Sequence, residues 1–117
     1  MNETLGQHQQ RFLPLVAKLI EFAYAQGYTL TAGEMYRSPE QAALNAQHGT
    51  GIANSLHILR LAVDLQLFKD GTYLTDPVAY QPLGDYWKTL DPACAWGGDF
   101  VHLVDADHFS LSWGGIR

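Results

Sequence analysis

The chain has 117 residues, 47 % of them apolar and 16 % charged, and carries a formal net charge of −5 at pH 7. That composition suits one globular domain spanning residues 1–117 and excludes a disordered segment. It also argues against nucleic acid as a partner, because no stripe of Lys and Arg exists to meet phosphate, so any recognition has to be local to a cleft.

The N-terminal MNETLGQHQQRF has no basic stretch leading into an apolar one, and no apolar run approaches the ~18 residues of a membrane span. The expectation is a protein that starts in the cytoplasm without inserting into a membrane, its oligomeric state open and a monomer the default. Residues 12–26 place Phe12, Leu15, Val16, Leu19, Ile20 and Ala23 on one stripe at helical spacing, and Gly27 suits the end of that helix. Pro14 fits best in the first turn, where its missing N–H does least harm, which makes the residues before it a frayed or kinked extension.

Tyr28–Met35 alternates in strand fashion. Ser38-Pro39-Glu40-Gln41 then supplies an N-cap serine, a proline at the first helical position and a glutamine at the third, predicting a helix to about Gln47 that stops at Gly49. Gly49–Leu56 is punctuated like a loop. Leu61–Phe68 puts Leu61, Val63, Leu65 and Leu67 on one strand face, and Ala62, Asp64, Gln66 and Phe68 on the other. Asp70-Gly71 marks a hairpin turn, with Tyr73-Leu74 starting the return. A short helix is predicted over Pro82–Leu90, with Leu83, Trp87 and Leu90 facing inward. Cys94 is the only cysteine, so no intramolecular disulfide forms, which fits a reducing compartment. Phe100–Val104 and Phe109–Trp113 read as two further strands. Helices first and then mostly hairpin-linked strands indicate an α+β fold with a small antiparallel sheet.

Five histidines occur. His8 in a polar stretch and His48 at a helix end read as solvated surface residues, His48 being suited to the helix C-terminal dipole. His57 follows a loop, and seven residues on Asp64 sits inside an apolar strand. A carboxylate there is expensive unless paired, hydrogen-bonded or metal-bound, although a solvated sheet face beside Gln66 accounts for it equally well. Asp105-Ala106-Asp107-His108 adds a second imidazole with a carboxylate three residues before it. Two imidazoles and one carboxylate make a three-ligand zinc site with its fourth position open to water, whose pKa zinc lowers to roughly 7. Asp105 can take that proton only if the chain turns between 105 and 108. Asp107, the rival base, is expected to point away from the site as a solvated turn residue. Arg37 is the best cation for a carbonyl oxygen or peptide carboxylate, though an ordinary surface ion pair suits it as well. His102 reads as an exposed strand residue or a spare ligand. Trp96 and Trp113 line a cleft or fill the core, with core the better reading for Trp96.

At these residues the sequence resembles the zinc D-Ala-D-Ala carboxypeptidases and L-alanyl-D-glutamate endopeptidases of the Hedgehog/DD-peptidase fold, above all the short single-domain phage endolysins. The matching stretches are Tyr36-Arg37-Ser38-Pro39-Glu40-Gln41, Ser55-Leu56-His57 through Ala62-Val63-Asp64, Trp96-Gly97-Gly98-Asp99-Phe100, and Asp105-Ala106-Asp107-His108-Phe109, in the family's order. The resemblance implies a Hedgehog/DD-peptidase-like domain with one zinc held by His57, Asp64 and His108 and with Asp105 as catalytic base. It makes Arg37 a stabiliser of the substrate or of the tetrahedral intermediate, and Ser55 a support for the ligand loop. It further implies a peptidoglycan stem peptide as substrate, cut at the L-Ala–D-Glu bond by an endolysin that another factor releases from the host cytoplasm. Removal of terminal D-Ala by a D,D-carboxypeptidase or dipeptidase is the rival activity, and a non-catalytic zinc-binding module the rival class. The chain departs from the family in Arg60, where a glycine is frequent, and in Ser110, where many relatives are acidic, and its base is aspartate rather than the glutamate of some relatives. Arg60 is accordingly expected to narrow the cleft or to pair with a peptide carboxylate, and Trp113 to contribute to the substrate surface.

Overall fold

The computed structural model describes residues 3–49 and 55–117. Most of the loop expected at Gly49–Leu56 lies outside the described residues.

Helix α1 runs Leu5–Ala25, seven residues longer at its start than the apolar periodicity predicts. Thr4 caps it, its hydroxyl accepting from the Gln7 N–H while the Gln7 side chain accepts from the Thr4 N–H, and this reciprocal box nucleates a helix in a polar stretch. Pro14 therefore sits inside the helix rather than in its first turn. It lies on the exposed face, where water can satisfy the carbonyl that its missing N–H leaves free. Phe12, Leu15, Val16, Leu19 and Ala23 are buried as the stripe requires, but Ile20 is exposed.

Strand β1 (Thr29–Ala32) and helix α2 (Pro39–Gln47) follow, the latter capped by Ser38, whose hydroxyl accepts from the Gln41 N–H. Strand β2 (Ala62–Lys69) is the centre of the sheet and turns through Asp70-Gly71 into β3 (Thr72–Leu74). Both turn residues have positive φ, the geometry that an Asp-Gly hairpin needs. Helix α3 spans Pro77–Leu90 and begins five residues before its predicted start, because Asp76 and Pro77 supply the same cap-then-proline signal as Ser38 and Pro39. Pro82 lies on its exposed face.

Strand β4 (Cys94–Trp96) was not evident in the sequence; a strand of three residues is too short to show alternation. Strand β5 is His108–Leu111. The predicted strand at Phe100–Val104 does not form. That stretch is a bend following the 3-10 turn Gly97–Asp99, and Val101, Leu103 and Val104 are exposed. The place beside β5 is taken by β4 instead.

The sheet is antiparallel in the order β1-β2-β5-β4, with β3 pairing the C-terminal half of β2. This is the expected α+β architecture. One sheet face packs on α1 and α3 around Trp87, which meets Phe12 of α1 and Phe109 of β5 edge-on, at 6.0 and 6.1 Å between ring centroids. The Trp87 indole N–H donates to the carbonyls of Ala95 and Ser110, so this core residue also ties α3 to β4 and β5. The other face of β2 carries Asp64.

Candidate metal centre

The β2–β5 register sets Asp64 directly opposite His108. Residues opposed across an antiparallel ladder share a face, so the pairing itself brings a carboxylate and an imidazole together on the side away from the helices. His57 arrives from the turn before β2. Leu56, buried, anchors that turn through its carbonyl, which accepts from the N–H groups of Leu59 and Leu61. Ser55 Oγ accepts from the His57 N–H at 3.2 Å. The His57 Nδ1–H donates to the Met35 carbonyl at 3.3 Å, which leaves Nε2 bare and facing the site.

The three groups converge. His57 Nε2 lies 3.4 Å, and His108 Nδ1 3.7 Å, from the same Asp64 oxygen, Oδ1. One ligand atom from each residue falls within 4.8 Å of the others. Both imidazoles are buried, and Asp64 Oδ1 is itself buried without a hydrogen-bond partner among the described residues. Such an atom is costly to leave unsatisfied, and a cation between the three groups would satisfy it. The donor set, two nitrogens and one carboxylate oxygen, is one that zinc accepts, so the residues present fit a metal ion.

Burial alone would raise the Asp64 pKa, but the imidazoles of His108 and His57 outweigh it and hold the carboxyl at about 2. Burial likewise works against charge on His57, and Asp64 more than offsets it, raising that pKa. Asp105 behaves oppositely: partial burial, then the neighbouring Asp107, pushes it up to about 7. Its Oδ2 lies 3.9 Å from His108 Nδ1, because the chain does turn between 105 and 108, the His108 N–H donating to the Asp105 carbonyl at 3.0 Å.

That turn is held from outside by the Trp96–Gly98 segment. The Trp96 indole N–H donates to the Ala106 carbonyl at 2.7 Å. The Gly97 carbonyl accepts from both the Phe100 and the Asp105 N–H, at 3.1 and 3.0 Å, and so closes the neck of the loop between them. Gly97 has no alternative at this position, since a Cβ there would stand 2.0 Å from the Asp105 carbonyl oxygen and 2.8 Å from the His108 Cβ.

Arg37 lines the cleft above the three groups, together with Ser55, Phe100, Leu103, Val104 and Arg117. Its N–H donates to the His57 carbonyl, and its Nε and Nη2 both donate to Glu34 Oε1. Glu34 escaped the sequence reading, although its spacing three residues before Arg37 was visible. The same oxygen lies 3.8 Å from His57 Nδ1.

Several expected placements are corrected. His8 is buried rather than solvated: Nδ1 pairs with Glu3 at 2.5 Å, Nε2 meets the Ser112 carbonyl at 2.9 Å, and the ring packs on Trp113 at 4.9 Å. The longer α1 is what carries it against the C-terminal segment. Trp113, engaged with His8, does not line the cleft. Arg60 also stays outside; its guanidinium lies 4.2 Å from the Tyr36 ring centroid and borders a separate groove with Leu13 and Met35. Its φ of 58° is the left-handed conformation that a glycine adopts without strain. Asp107 does not point away. It is half-buried, accepts from the Gln66 amide at 3.3 Å, and has an oxygen within 4.8 Å of Asp64 and Asp105. His48 is exposed at the end of α2, His102 is exposed on the bend, and Trp96 fills the core.

No protein-family model matches the chain, and no curated protein matches its sequence. Solved structures do match. The crystal structure of the L-Ala D-Glu endopeptidase ChiX from Serratia marcescens aligns with a TM-score of 0.69 at 19 % identity, over 92 % of this chain and 85 % of that one. A point mutant of VanY, a D,D-pentapeptidase from a VanB-type vancomycin resistance cassette in complex with Zn(II), aligns with a TM-score of 0.58 at 19 % identity, over 86 % of this chain and 70 % of that one. The chain has the fold of these two peptidases.

Proposed function

We propose that this protein is a zinc-dependent peptidoglycan peptidase, an endolysin that cleaves the L-Ala–D-Glu bond of the stem peptide. The observation that carries the reading is the buried Asp64 oxygen, unpartnered between two imidazole nitrogens at 3.4 and 3.7 Å, with a further carboxylate, Asp105, beside them. A purely structural zinc site has no need of that extra carboxylate. The likeness to ChiX and VanY supports the peptidase class, and the ordered motifs shared with phage endolysins support the lysin role. Synthesis in the host cytoplasm and release to the wall by another factor belong to the same proposal.

His57, Asp64 and His108 would hold the ion, which when bound acidifies a water to a pKa of roughly 7 and polarises the scissile carbonyl. The chain's own groups do the rest. Asp105, 3.9 Å from His108 Nδ1, accepts the proton of the attacking water and returns it to the departing amine. Arg37, fixed by Glu34 and by the His57 carbonyl, faces the cleft as a donor to the carbonyl oxygen. Met35 holds the His57 ring in the tautomer that presents Nε2. Phe100, Leu103 and Val104 form an apolar wall that limits water around the bond.

A D,D-carboxypeptidase is the second reading. It is favoured by the two guanidinium groups on the cleft, Arg37 and Arg117, since an exopeptidase has to grip a terminal carboxylate. Digestion of purified Gram-negative peptidoglycan separates the two. New N-terminal D-glutamate with falling turbidity is expected; release of free D-alanine from an intact sacculus would establish the carboxypeptidase.

A further inference from the structure

The two cations on the cleft are not equivalent. Arg37 spends its charge on Glu34, both of its donated bonds going to one carboxylate oxygen. Arg117 forms no ion pair among the described residues. Its guanidinium carbon lies 5.1 Å from the centroid of the Phe100 ring, and that ring lies 5.5 Å from the His108 imidazole. An aromatic face orients a guanidinium without neutralising it, so Phe100 acts as a shelf that holds a free positive charge one ring away from a metal-site histidine.

The surroundings make that charge selective. The side chains on the floor, Asp64 and Asp105, are acceptors that offer a peptide carboxylate no donor of their own. Leu103 and Val104 on the wall offer an anion nothing. Arg60, expected to narrow the cleft or to pair with a peptide carboxylate, faces another groove. Among the described residues that line this cleft, Arg117 is the one cation not already matched by a carboxylate. We propose that Arg117 is the specificity-determining residue of the site and binds a free carboxylate carried by the peptide next to the bond that is cut. This rests on the peptidase reading. Both candidate bonds supply such a group, since a glutamyl residue in a peptide keeps one carboxyl that its amide link does not use, and a terminal alanine ends in one.

The test uses zinc-loaded protein and three synthetic stem pentapeptides ending in D-Ala-D-Ala: the free acid, the form amidated on the D-glutamate carboxyl, and the form amidated at the terminal D-alanine. Turnover and calorimetric binding are both measured. The parent is expected to disfavour one of the amidated peptides, and which one identifies the carboxylate that is read. Arg117→Gln should raise KM for the free acid about tenfold or more, with kcat within a few-fold, zinc content unchanged and the preference between free and amidated peptide abolished. Arg117→Lys should restore part of the preference. An Arg117→Gln protein that keeps the parent's KM, binding and preference would overturn the proposal while leaving the peptidase reading in place. Binding that prefers the free acid through Arg117, with no peptide cut by the parent, would support the carboxylate site and overturn the hydrolytic reading instead.

Discussion

Replacing Gly97 with alanine tests whether close packing of the Trp96–Gly98 segment positions the metal site. The added methyl would stand 2.0 Å from the Asp105 carbonyl oxygen and 2.8 Å from the His108 Cβ. Ordinary contacts begin near ~3.5 Å, so the turn has to retreat by more than roughly an ångström. Neither obstacle is a flexible side-chain end: one is backbone, and the other belongs to a residue fixed in β5 opposite Asp64. Overpacking of this kind costs about 1–3 kcal/mol, which at roughly 4 °C per kcal/mol lowers the melting temperature by about 4–12 °C. Moving His108 and Asp105 by that distance should also weaken zinc binding and reduce turnover on the order of 10²-fold. Calorimetric melting with and without zinc, alongside peptide hydrolysis, measures both effects. Gly6→Ala is the control, because a Cβ there meets nothing within 4 Å and alanine is the better helix former. A Gly97→Ala protein that melts and turns over like the parent would refute the positioning argument.

His57→Ala, Asp64→Ala and His108→Ala should each lose bound zinc and activity together, read by elemental mass spectrometry; unchanged zinc in His57→Ala would remove that residue from the ligand set. Asp105→Asn should keep zinc and lose about 10²–10⁴-fold in rate, with Asp107→Ala losing far less. The same Asp105 variant makes a pH prediction for metal-free protein. A carboxyl raised to about 7 contributes stability that is fully present below its unfolded value and lost as pH climbs through 7, so Asp105→Asn should gain on the parent between pH 4 and 7 in thermal melts. Asp64, held at about 2, has the opposite sign, and its contribution should vanish only as pH falls from about 4 toward 2. His8→Ala should cost about 1–3 kcal/mol in urea denaturation, since it strands the Ser112 carbonyl and empties the space that the buried ring fills beside Trp113, while turnover per folded molecule is retained.

What could be read from the sequence was whatever obeys a local rule. The alternation of Leu61–Phe68 placed Asp64 on the face away from the core, and Ser38-Pro39 and Asp70-Gly71 declared a cap and a turn by their chemistry. Partners distant in the chain were beyond such rules. Asp64 facing His108 follows from strand register, His8 is buried because α1 begins early enough to carry it to Ser112, and Arg117 reaches the cleft by way of Phe100. The Phe100–Val104 stretch misled for a related reason. Apolar residues say that a segment can pair, but the place beside β5 belongs to β4, itself too short to announce.

The neck at Gly97 has a consequence for how such a site can diversify. Because one carbonyl holds both Phe100 and Asp105, the span between them can be exchanged or lengthened without transmitting the change to the metal-site residues on either side. Doubling a loop that is already closed at its base costs only ~0.6 kcal/mol in chain entropy. The part of the cleft wall made by Leu103 and Val104 is therefore an evolutionary variable attached to a constant floor. Redesign of substrate preference belongs in that span, and a library confined to 101–104 would sample new walls while Asp105 and His108 stay where the strands and the turn hold them.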